Sequence, residues 1–287
     1  MMKRRAFLET SIGASCLSAL GVLPFVPDRK IERLGLQLYT VRDLMKSNFE
    51  GTLAKVAGVG YKEVEFAGLF DHSPKNVRSM LDREGLKAPS SHVSYDVVQT
   101  KWQGALDEAL VLGQQFIICP WIDESQRKQL DGWKRAAELF NRAGEASRKA
   151  GLQFAYHNHT FEFGPSQPLG GKLPYDFLLA NTDMQLVKME MDLCWATVGG
   201  ADPLRYFHQY PGRFPLVHVK DWKGPGGTPD DESSRLADIG QGSIDWKRIF
   251  AQSNTAGIQH YFVENDLPKS PIEDIRSSFN YLRELRF

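Results

Sequence analysis

The stretch GLQFAYHNHTFEF, residues 151–163, combines a helix end, a buried strand and a group of chemically active side chains. Gly151 stands where a glycine typically ends a helix, and an apolar run follows it. Because side chains alternate between the two faces of a strand, His157 and His159 point the same way. Two imidazoles followed by the Glu162 carboxylate suit a divalent metal or an acid–base pair, or they simply form hydrogen bonds at a strand end.

The same unit of helix, glycine and apolar run recurs along the chain, for example at Gly85 and Gly257. The predicted strands are residues 34–39, 63–66, 88–92, 116–119, 152–157, 185–192, 216–220 and 261–264. The predicted helices are residues 49–59, 74–84, 102–112, 124–150, 175–180, 202–210, 246–256 and 271–286. Eight strand–helix repeats over about 250 residues predict a single α/β domain, the (β/α)8 TIM barrel. A doubly wound open sheet is disfavoured because no glycine-rich phosphate turn follows the first strand.

The chain is predicted to divide into a leader, residues 1–29, and one barrel domain, residues 30–287. Lys3-Arg4-Arg5 followed by the weakly apolar residues 11–26 is typical of a twin-arginine (Tat) export signal, which predicts a periplasmic protein. An ordinary basic N-terminus is the alternative. Lipidation at Cys16 is disfavoured because the preceding residues lack the usual apolar side chain. No later run is long and apolar enough to span a bilayer.

Composition excludes several classes of partner. Lys and Arg together number 35, as do Asp and Glu, so the net charge is zero and nothing indicates nucleic acid or an anionic membrane surface. Cys119 and Cys194 end apolar runs, which predicts buried thiols and no disulfide framework. The sequence gives no indication of the oligomeric state.

Polar side chains stand at almost every predicted strand end, where a TIM barrel carries its chemistry. They are Gln37, Glu65, His92, Trp121, His157, His159, Glu162, Asp192, His218, Lys220, Asp221 and Glu264. Each has a structural explanation on its own, such as an ion pair of Glu190 or Asp192 with a buried lysine, either Lys188 or Lys220. Together they predict a functional mouth, on which Asp192, His218 and Glu264 converge. Carboxylates and imidazole without thiolate suit one divalent metal, namely Mn²⁺, Mg²⁺, Co²⁺ or Zn²⁺.

Several motifs resemble those of the xylose isomerase-like barrels, specifically the sugar phosphate isomerase/epimerase group. They are Tyr156-His157-Asn158-His159 with Glu162-Phe163, Met191-Asp192-Leu193-Cys194-Trp195, Val217-His218-Val219-Lys220-Asp221, Gly240-Gln241-Gly242-Ser243-Ile244-Asp245 and Val263-Glu264. These motifs extend from the fifth predicted strand to the last. It implies one divalent metal held by Glu, Asp, His and Glu from four strand ends.

The metal ligands that the resemblance implies match this chain at three positions, Asp192, His218 and Glu264. At the first position many relatives have Glu-Asn-His, whereas this chain has His157-Asn158-His159. Either His157 has replaced the glutamate as a ligand, or Glu162 serves in its place. The sequence leaves both open.

The activity that the resemblance implies is isomerisation or epimerisation of a keto sugar, a sugar derivative or a cyclitol. A carboxylate would remove a proton beside a metal-polarised carbonyl, giving an enediolate. The candidate catalytic residues are Glu162 and Glu264 as the acid–base pair, His159 or His92 as its substitutes, and Lys220 to stabilise negative charge. The candidate substrate-binding residues are Gln37, Glu65, His92, Trp121 and Trp222.

Other functions remain open at this stage. The same enediolate can lose a β-substituent, which makes a lyase or dehydratase acting on a 3-keto glycoside or an inosose the first alternative. A non-catalytic, exported sugar-binding protein is the second. The related endonuclease-IV branch needs a cationic face, which a net charge of zero argues against. The polar segment 223–241 is predicted to be a lid over the mouth or a surface loop.

Overall fold

A computed structural model describes residues 29–225 and 235–287. The predicted leader, residues 1–29, lies outside the described residues apart from Arg29, so the export signal stays a prediction. The middle of the predicted lid also lies outside them, and whether segment 223–241 closes over the mouth is not tested.

Eight parallel strands of the described chain form one sheet. They are β1 (Gly35–Gln37), β2 (Glu63–Phe66), β3 (Lys87–Ser91), β4 (Phe116–Cys119), β5 (Gln153–His157), β6 (Val187–Asp192), β7 (Leu216–Val219) and β10 (His260–Val263). Their order is β3-β2-β1-β10-β7-β6-β5-β4. A parallel bridge between His92 and Ile118 joins the two outermost strands. The sheet is therefore a nearly closed barrel, which confirms the predicted TIM barrel and excludes the open sheet.

Six helices of the described chain match the sequence predictions closely. They are α2 (Phe49–Val59), α3 (Pro74–Glu84), α5 (Trp102–Leu112), α8 (Pro174–Asn181), α10 (Pro203–Gln209) and α13 (Pro271–Glu284). Helix α3 shows why: the Ser73 side chain accepts from the Asn76 N–H, Pro74 occupies the first turn, and Gly85 ends the helix in the left-handed region at φ 65°.

Other helices differ from the predictions. The predicted helix 124–150 is two helices, α6 (Glu124–Arg127) and α7 (Leu130–Lys149), and the predicted helix 246–256 is α11 (Trp246–Phe250) and α12 (Ser253–Ala256). Three helices of six residues each were not predicted: α1 (Arg42–Ser47), α4 (Tyr95–Thr100) and α9 (Leu193–Val198). Each of the three follows closely after a strand end and lies near the mouth of the barrel.

Apolar side chains fill the barrel below its polar mouth. Phe116, Ile118, Ala155, Leu216 and Phe262 form a separate buried cluster contributed by four strands. Since side chains two residues apart share a face of a strand, His157 and His218 stand one pleat above Ala155 and Leu216. The apolar floor thus holds the polar side chains at the carboxyl ends of the strands.

Two smaller predictions are tested by the described residues. Cys119 and Cys194 are both buried free thiols, as predicted. None of the helices in the described parts of the chain is long and apolar enough to cross a bilayer. A short antiparallel pair, β8 (Asp221–Trp222) and β9 (Leu236–Ala237), flanks the segment that was predicted as a lid.

Candidate active site

Strand register brings the predicted site residues together. His157 is in register with Glu190, and Asp192 with His218, across the parallel pairs β5–β6 and β6–β7. Residues in register on parallel strands point to the same face, so all four enter the barrel. The Asn158 side chain fixes this register, because it accepts from the Asp192 N–H at 3.1 Å and donates to the Asp192 carbonyl at 3.2 Å.

The deeper part of the site, here called the inner cluster, consists of Glu65, His92, His157, Glu190 and His218. Glu190 Oε2 lies 2.7 Å from His92 Nε2, 3.1 Å from His157 Nδ1 and 3.3 Å from His218 Nε2. Glu65 Oε1 lies 3.0 Å from His92 Nε2 and 2.7 Å from His218 Nε2. Three imidazoles therefore face two fully buried carboxylates.

The outer part of the site, here called the outer cluster, is centred on the buried Lys220 ammonium. Lys220 Nζ lies 3.1 Å from Asp192 Oδ2, 3.0 Å from Glu264 Oε2 and 2.6 Å from Asp266 Oδ2. His218 links the two clusters, since its Nδ1 atom lies 2.8 Å from Glu264 Oε2. Of the ion pairs considered for Glu190 and Asp192, the structure forms the one between Asp192 and Lys220.

Burial and charge move the pKa values of these groups in opposite directions. Burial lowers the pKa of His92, but the Glu65 and Glu190 carboxylates outweigh it and raise that pKa to about 9. Burial likewise opposes the charge of Lys220, yet Asp192, Asp266 and Glu264 hold its pKa well above the ordinary value. The pKa of His159 falls to about 3 because of burial, so this imidazole is neutral at neutral pH.

Glu162 lies apart from both clusters. Its Oε1 atom accepts from the Tyr156 hydroxyl, and its Oε2 atom accepts from the His159 backbone N–H at 2.8 Å. The short 3-10 turn Thr160–Phe163 directs the side chain back under the strand end in a capping box. Both oxygens are thus engaged in local structure, which is the physical reason that the structure does not bring Glu162 to the predicted metal ligands. Of the two alternatives for the first ligand, His157 is the one placed in the site.

A cavity of about 400 Å³ opens above the clusters. Its walls include Tyr39, His92, Trp121, Asp123, His157, His159, Glu264 and Asp266. Trp121 is 39% exposed and stacks beneath the Arg127 guanidinium, whose central carbon is 4.6 Å from the ring centroid. A rigid aromatic face beside buried acid and base groups is suited to binding the apolar face of a polyol ring.

Some predicted substrate contacts lie elsewhere. Gln37 donates to Glu65 Oε1 at 2.7 Å, and Glu65 also contacts Ser90 and His218. Both Gln37 and Glu65 are fully buried, and neither lines the cavity. Trp222 belongs to the β8–β9 pair and not to the cavity wall. By contrast, His92 and Trp121 do line the cavity, as expected of residues that touch a substrate.

Asp221 and the Gly-x-Gly-x-Ile-Asp motif have a structural role. Asp221 Oδ2 accepts from the Gly240 N–H at 2.8 Å, the Gly242 N–H at 3.2 Å and the Trp246 indole at 3.2 Å. A Cβ at Gly242 would stand 2.0 Å from Asp221 Oδ1, so this turn requires glycine. The motif therefore anchors the chain that leads into α11.

Sequence reasoning missed Glu190 and Asp266 as members of the site. Glu190 stands two residues before Asp192 and shares its face, which was the available signal, because a carboxylate between methionines in a buried strand needs a partner. Asp266 follows Glu264 with the same spacing. Its Oδ2 atom is the nearest carboxylate oxygen to Lys220.

The donor set fits a divalent cation. The two clusters contain five carboxylates, those of Glu65, Glu190, Asp192, Glu264 and Asp266, and one ammonium group, that of Lys220, which pairs with the last three. Glu190 Oε1 is buried and has no hydrogen-bond partner among the described residues. Two groups, His92–His157–Glu190–His218 and Asp192–His218–Glu264, have ligand atoms within 4.8 Å of one another. Imidazole nitrogen and carboxylate oxygen are ligands of divalent first-row metals.

The sequence of the chain is similar to those of known proteins. A family model described as xylose isomerase-like TIM barrel matches residues 53–285. The chain belongs to this family. An inosose dehydratase of Lacticaseibacillus casei is 25% identical over 268 residues, covering 82% of this chain and 88% of that protein. The curated relatives of this xylose isomerase-like barrel are named as enzymes, and the chain is an enzyme of this superfamily.

Solved structures of other xylose isomerase-like barrels agree with this fold. A sugar phosphate isomerase/epimerase from Parabacteroides distasonis superposes with a TM-score of 0.73 at 27% identity, covering 88% of this chain and 93% of that one. The IolI protein with a bound zinc atom superposes with a TM-score of 0.69 at 16% identity, covering 86% and 95% of the two chains. At that identity the second likeness concerns the fold.

Proposed function

We propose that the protein is a divalent-metal-dependent dehydratase that acts on a polyhydroxylated cyclic ketone of the inosose class. The observation that carries the proposal is the placement of Glu162 and Glu264, the two carboxylates predicted to form the acid–base pair. Glu264 lines the cavity, whereas Glu162 is engaged beneath it. An elimination needs one base on the substrate carbon, and the curated relatives named inosose dehydratase favour this reaction.

The residues around the cavity have complementary roles in such an elimination. A bound divalent metal would polarise the ketone and so acidify the neighbouring C–H bond. Lys220 and His218 hold Glu264 through its Oε2 atom, which leaves Oε1 to take the proton. The C–H electron pair then forms the enolate double bond. As the carbonyl re-forms, the C–O bond on the next carbon breaks, and its hydroxyl leaves as water with the proton that Glu264 had accepted, so that Glu264 is ionised again.

Two further side chains would orient the substrate. His159 lines the cavity and is neutral, so it can donate a hydrogen bond to the departing hydroxyl without carrying charge. Trp121 offers its exposed face to the ring. Lys220 also supplies fixed positive charge beside the developing enolate, where it stabilises the transition state more than the ground state.

Epimerisation or isomerisation is the second candidate, favoured by the Parabacteroides distasonis neighbours named sugar phosphate isomerase/epimerase. The reaction would start with the same proton abstraction but return the proton to the other face or the other carbon. Asp266 or His159 would then have to act as the second acid–base group. The product would have the mass of the substrate, whereas dehydration removes one water.

A direct assay separates the two reactions. Purified protein reconstituted with Mn²⁺, Co²⁺ or Zn²⁺ is incubated with an inosose and with a panel of keto sugars, and the products are followed by NMR and mass spectrometry. We expect loss of water from the inosose, with kcat about 100-fold lower or worse in Glu264→Gln. Glu162→Gln is the matched control and should retain kcat within a few-fold. Turnover that is unaffected by Glu264→Gln would overturn the assigned base.

A further inference from the structure

We propose that the metal of this site is bound by the inner cluster, through His92, His157, Glu190 and His218. This differs from the Asp192–His218–Glu264 set that the family resemblance implies. The inference rests on the proposed function only in assuming that the enzyme uses a divalent metal. It concerns which side chains hold that metal.

The spacing of the inner donors is that of a coordination sphere. Metal–ligand bonds of about 2.0–2.2 Å place neighbouring ligand atoms roughly 3.0–3.4 Å apart in tetrahedral or octahedral geometry. The donors around Glu190 Oε2 lie at 2.7, 3.1 and 3.3 Å from it. All four ligand atoms lie within 4.8 Å of one another.

Hydrogen bonds alone do not satisfy this arrangement. A ring nitrogen carries at most one hydrogen, yet His92 Nε2 stands between Glu65 Oε1 at 3.0 Å and Glu190 Oε2 at 2.7 Å. Glu190 Oε1 remains buried without a hydrogen-bond partner in the described chain. A buried carboxylate left in this state costs free energy, which a bound cation would offset.

Charge distinguishes the two clusters. Within the described residues, the ion-pair partners of Glu65 and Glu190 are imidazoles and include no lysine or arginine. A divalent ion that displaces the protons from these imidazole nitrogens would balance the two carboxylates. The outer cluster already contains a cation, because Lys220 Nζ lies 3.1 Å from Asp192 Oδ2 and 3.0 Å from Glu264 Oε2.

The second oxygen of Asp192 is also engaged, since Oδ1 accepts from the Trp195 N–H at 2.8 Å. The inner cluster adjoins the cavity through His92 and His157, so a metal there can reach a bound ketone. Three imidazoles with a carboxylate favour Zn²⁺, Co²⁺ or Mn²⁺ over Mg²⁺. In this arrangement Asp192, Glu264 and Lys220 are the acid–base and charge-stabilising groups.

Metal binding by four proteins tests the assignment: wild type, Glu190→Gln, His92→Asn and Asp192→Asn. Each is stripped with a chelator and titrated with Co²⁺, with binding read from the visible absorption spectrum and from metal per chain after gel filtration. We expect one ion per wild-type chain and at least about tenfold weaker binding in Glu190→Gln and His92→Asn. Asp192→Asn should bind within about twofold of wild type with the same spectrum.

The outcomes separate this inference from the proposed function. Weakened binding in Asp192→Asn, alone or together with the inner variants, overturns the inner assignment and leaves a metal-dependent dehydratase standing. A wild-type chain that binds no divalent ion overturns both. Circular dichroism verifies that each variant is folded, and if Glu190→Gln is not, His92→Asn decides, because the His92 side chain is 12% exposed and closer to the surface.

Discussion

Buried glutamates in this barrel differ in charge according to the partners that each one has. Burial raises the pKa of Glu162 to about 8, against hydrogen bonds from the Tyr156 hydroxyl and the His159 backbone. Burial acts the same way on Glu65, but His92 and His218 outweigh it and hold the pKa of Glu65 well below its ordinary value. The same side chain is therefore a local structural group at one position and an anion of the inner cluster at another.

Glu162 should make the stability of the protein depend on pH. Its pKa in the folded chain lies above the ordinary value of 4.5, so the folded state binds the proton more tightly. The stability that this contributes is complete below about pH 4.5 and is lost as the pH rises toward 8, with a slope of at most about 1.4 kcal/mol per pH unit. Glu162→Gln should make the free energy of unfolding fall less steeply between pH 5 and 8.

Urea denaturation at several pH values measures this slope. The glutamine oxygen can accept from the His159 N–H while its amide donates to Tyr156, so the local bonds are retained. Glu138→Gln, on the exposed face of α7, controls for the loss of one carboxylate. Equal slopes for wild type and Glu162→Gln would show that Glu162 is ionised in the folded protein throughout this range.

Strand periodicity made part of the site predictable from sequence, but the partners of its residues were not. Alternation of side chains is enough to bring His157, Asp192 and His218 to one face. The direction of Glu162 depends on a 3-10 turn of four residues, which leaves no periodic signal. The pairing of Lys220 with Asp192 instead of Glu190 depends on how deep each carboxylate lies in the barrel. Sequence spacing does not contain that distance.

The helices differ from one another in how well their boundaries could be predicted from the sequence. Helix α3 has a serine cap, a proline in its first turn and a terminal glycine, and its predicted bounds are those observed. Helices α1, α4 and α9 have six residues each, fewer than two turns, so no amphipathic pattern develops in the sequence. Helix α9 begins at Leu193, directly after β6, and the Asp192 side chain caps it.

Helix α7 packs against the barrel through a glycine that should not tolerate a methyl group. A Cβ at Gly144 would stand 2.3 Å from the Leu186 carbonyl oxygen, which precedes β6. Gly144→Ala should lower the free energy of unfolding by about 1–3 kcal/mol, since neither backbone can move without disturbing the sheet. Chemical denaturation measures the change.

Gly104 in α5 provides the matched control for this substitution. A Cβ there would meet no described atom within 4 Å. Gly104→Ala should therefore stabilise the protein by about 0.5–1 kcal/mol, because alanine loses less conformational entropy than glycine in a helix. The packing of α7 on β6 as described here is contradicted if the two alanine variants shift stability in the same direction.

The barrel closes between β3 and β4, the two strands at the ends of the sheet order. The bridge from His92 to Ile118 joins β3 to β4, and it places the His92 imidazole opposite His218, with ring centroids 5.3 Å apart. The repeat of eight strands predicted this closure. It could not predict which side chains would meet inside, because that depends on strand stagger, to which every turn contributes.

Metal binding should stabilise the whole molecule, since the carboxylates that it neutralises come from distant parts of the chain. A metal present at about 100 times its Kd adds roughly 2.7 kcal/mol to the free energy of unfolding. For a domain of this size that is a rise in Tm of about 5–10 °C. Thermal denaturation with and without a chelator measures the shift, and Glu190→Gln should show little of it. A chelator that leaves the wild-type Tm unchanged would contradict a structural contribution of the metal.

The most direct test of the account is proton exchange at the carbon beside the ketone of a bound inosose. NMR in D₂O follows the loss of that proton signal with metal-loaded protein, metal-stripped protein and metal-loaded Glu264→Gln. The account predicts rapid, metal-dependent exchange in the wild type that is lost in the other two samples. Exchange at the same rate without metal, or with Glu264 replaced, would contradict it.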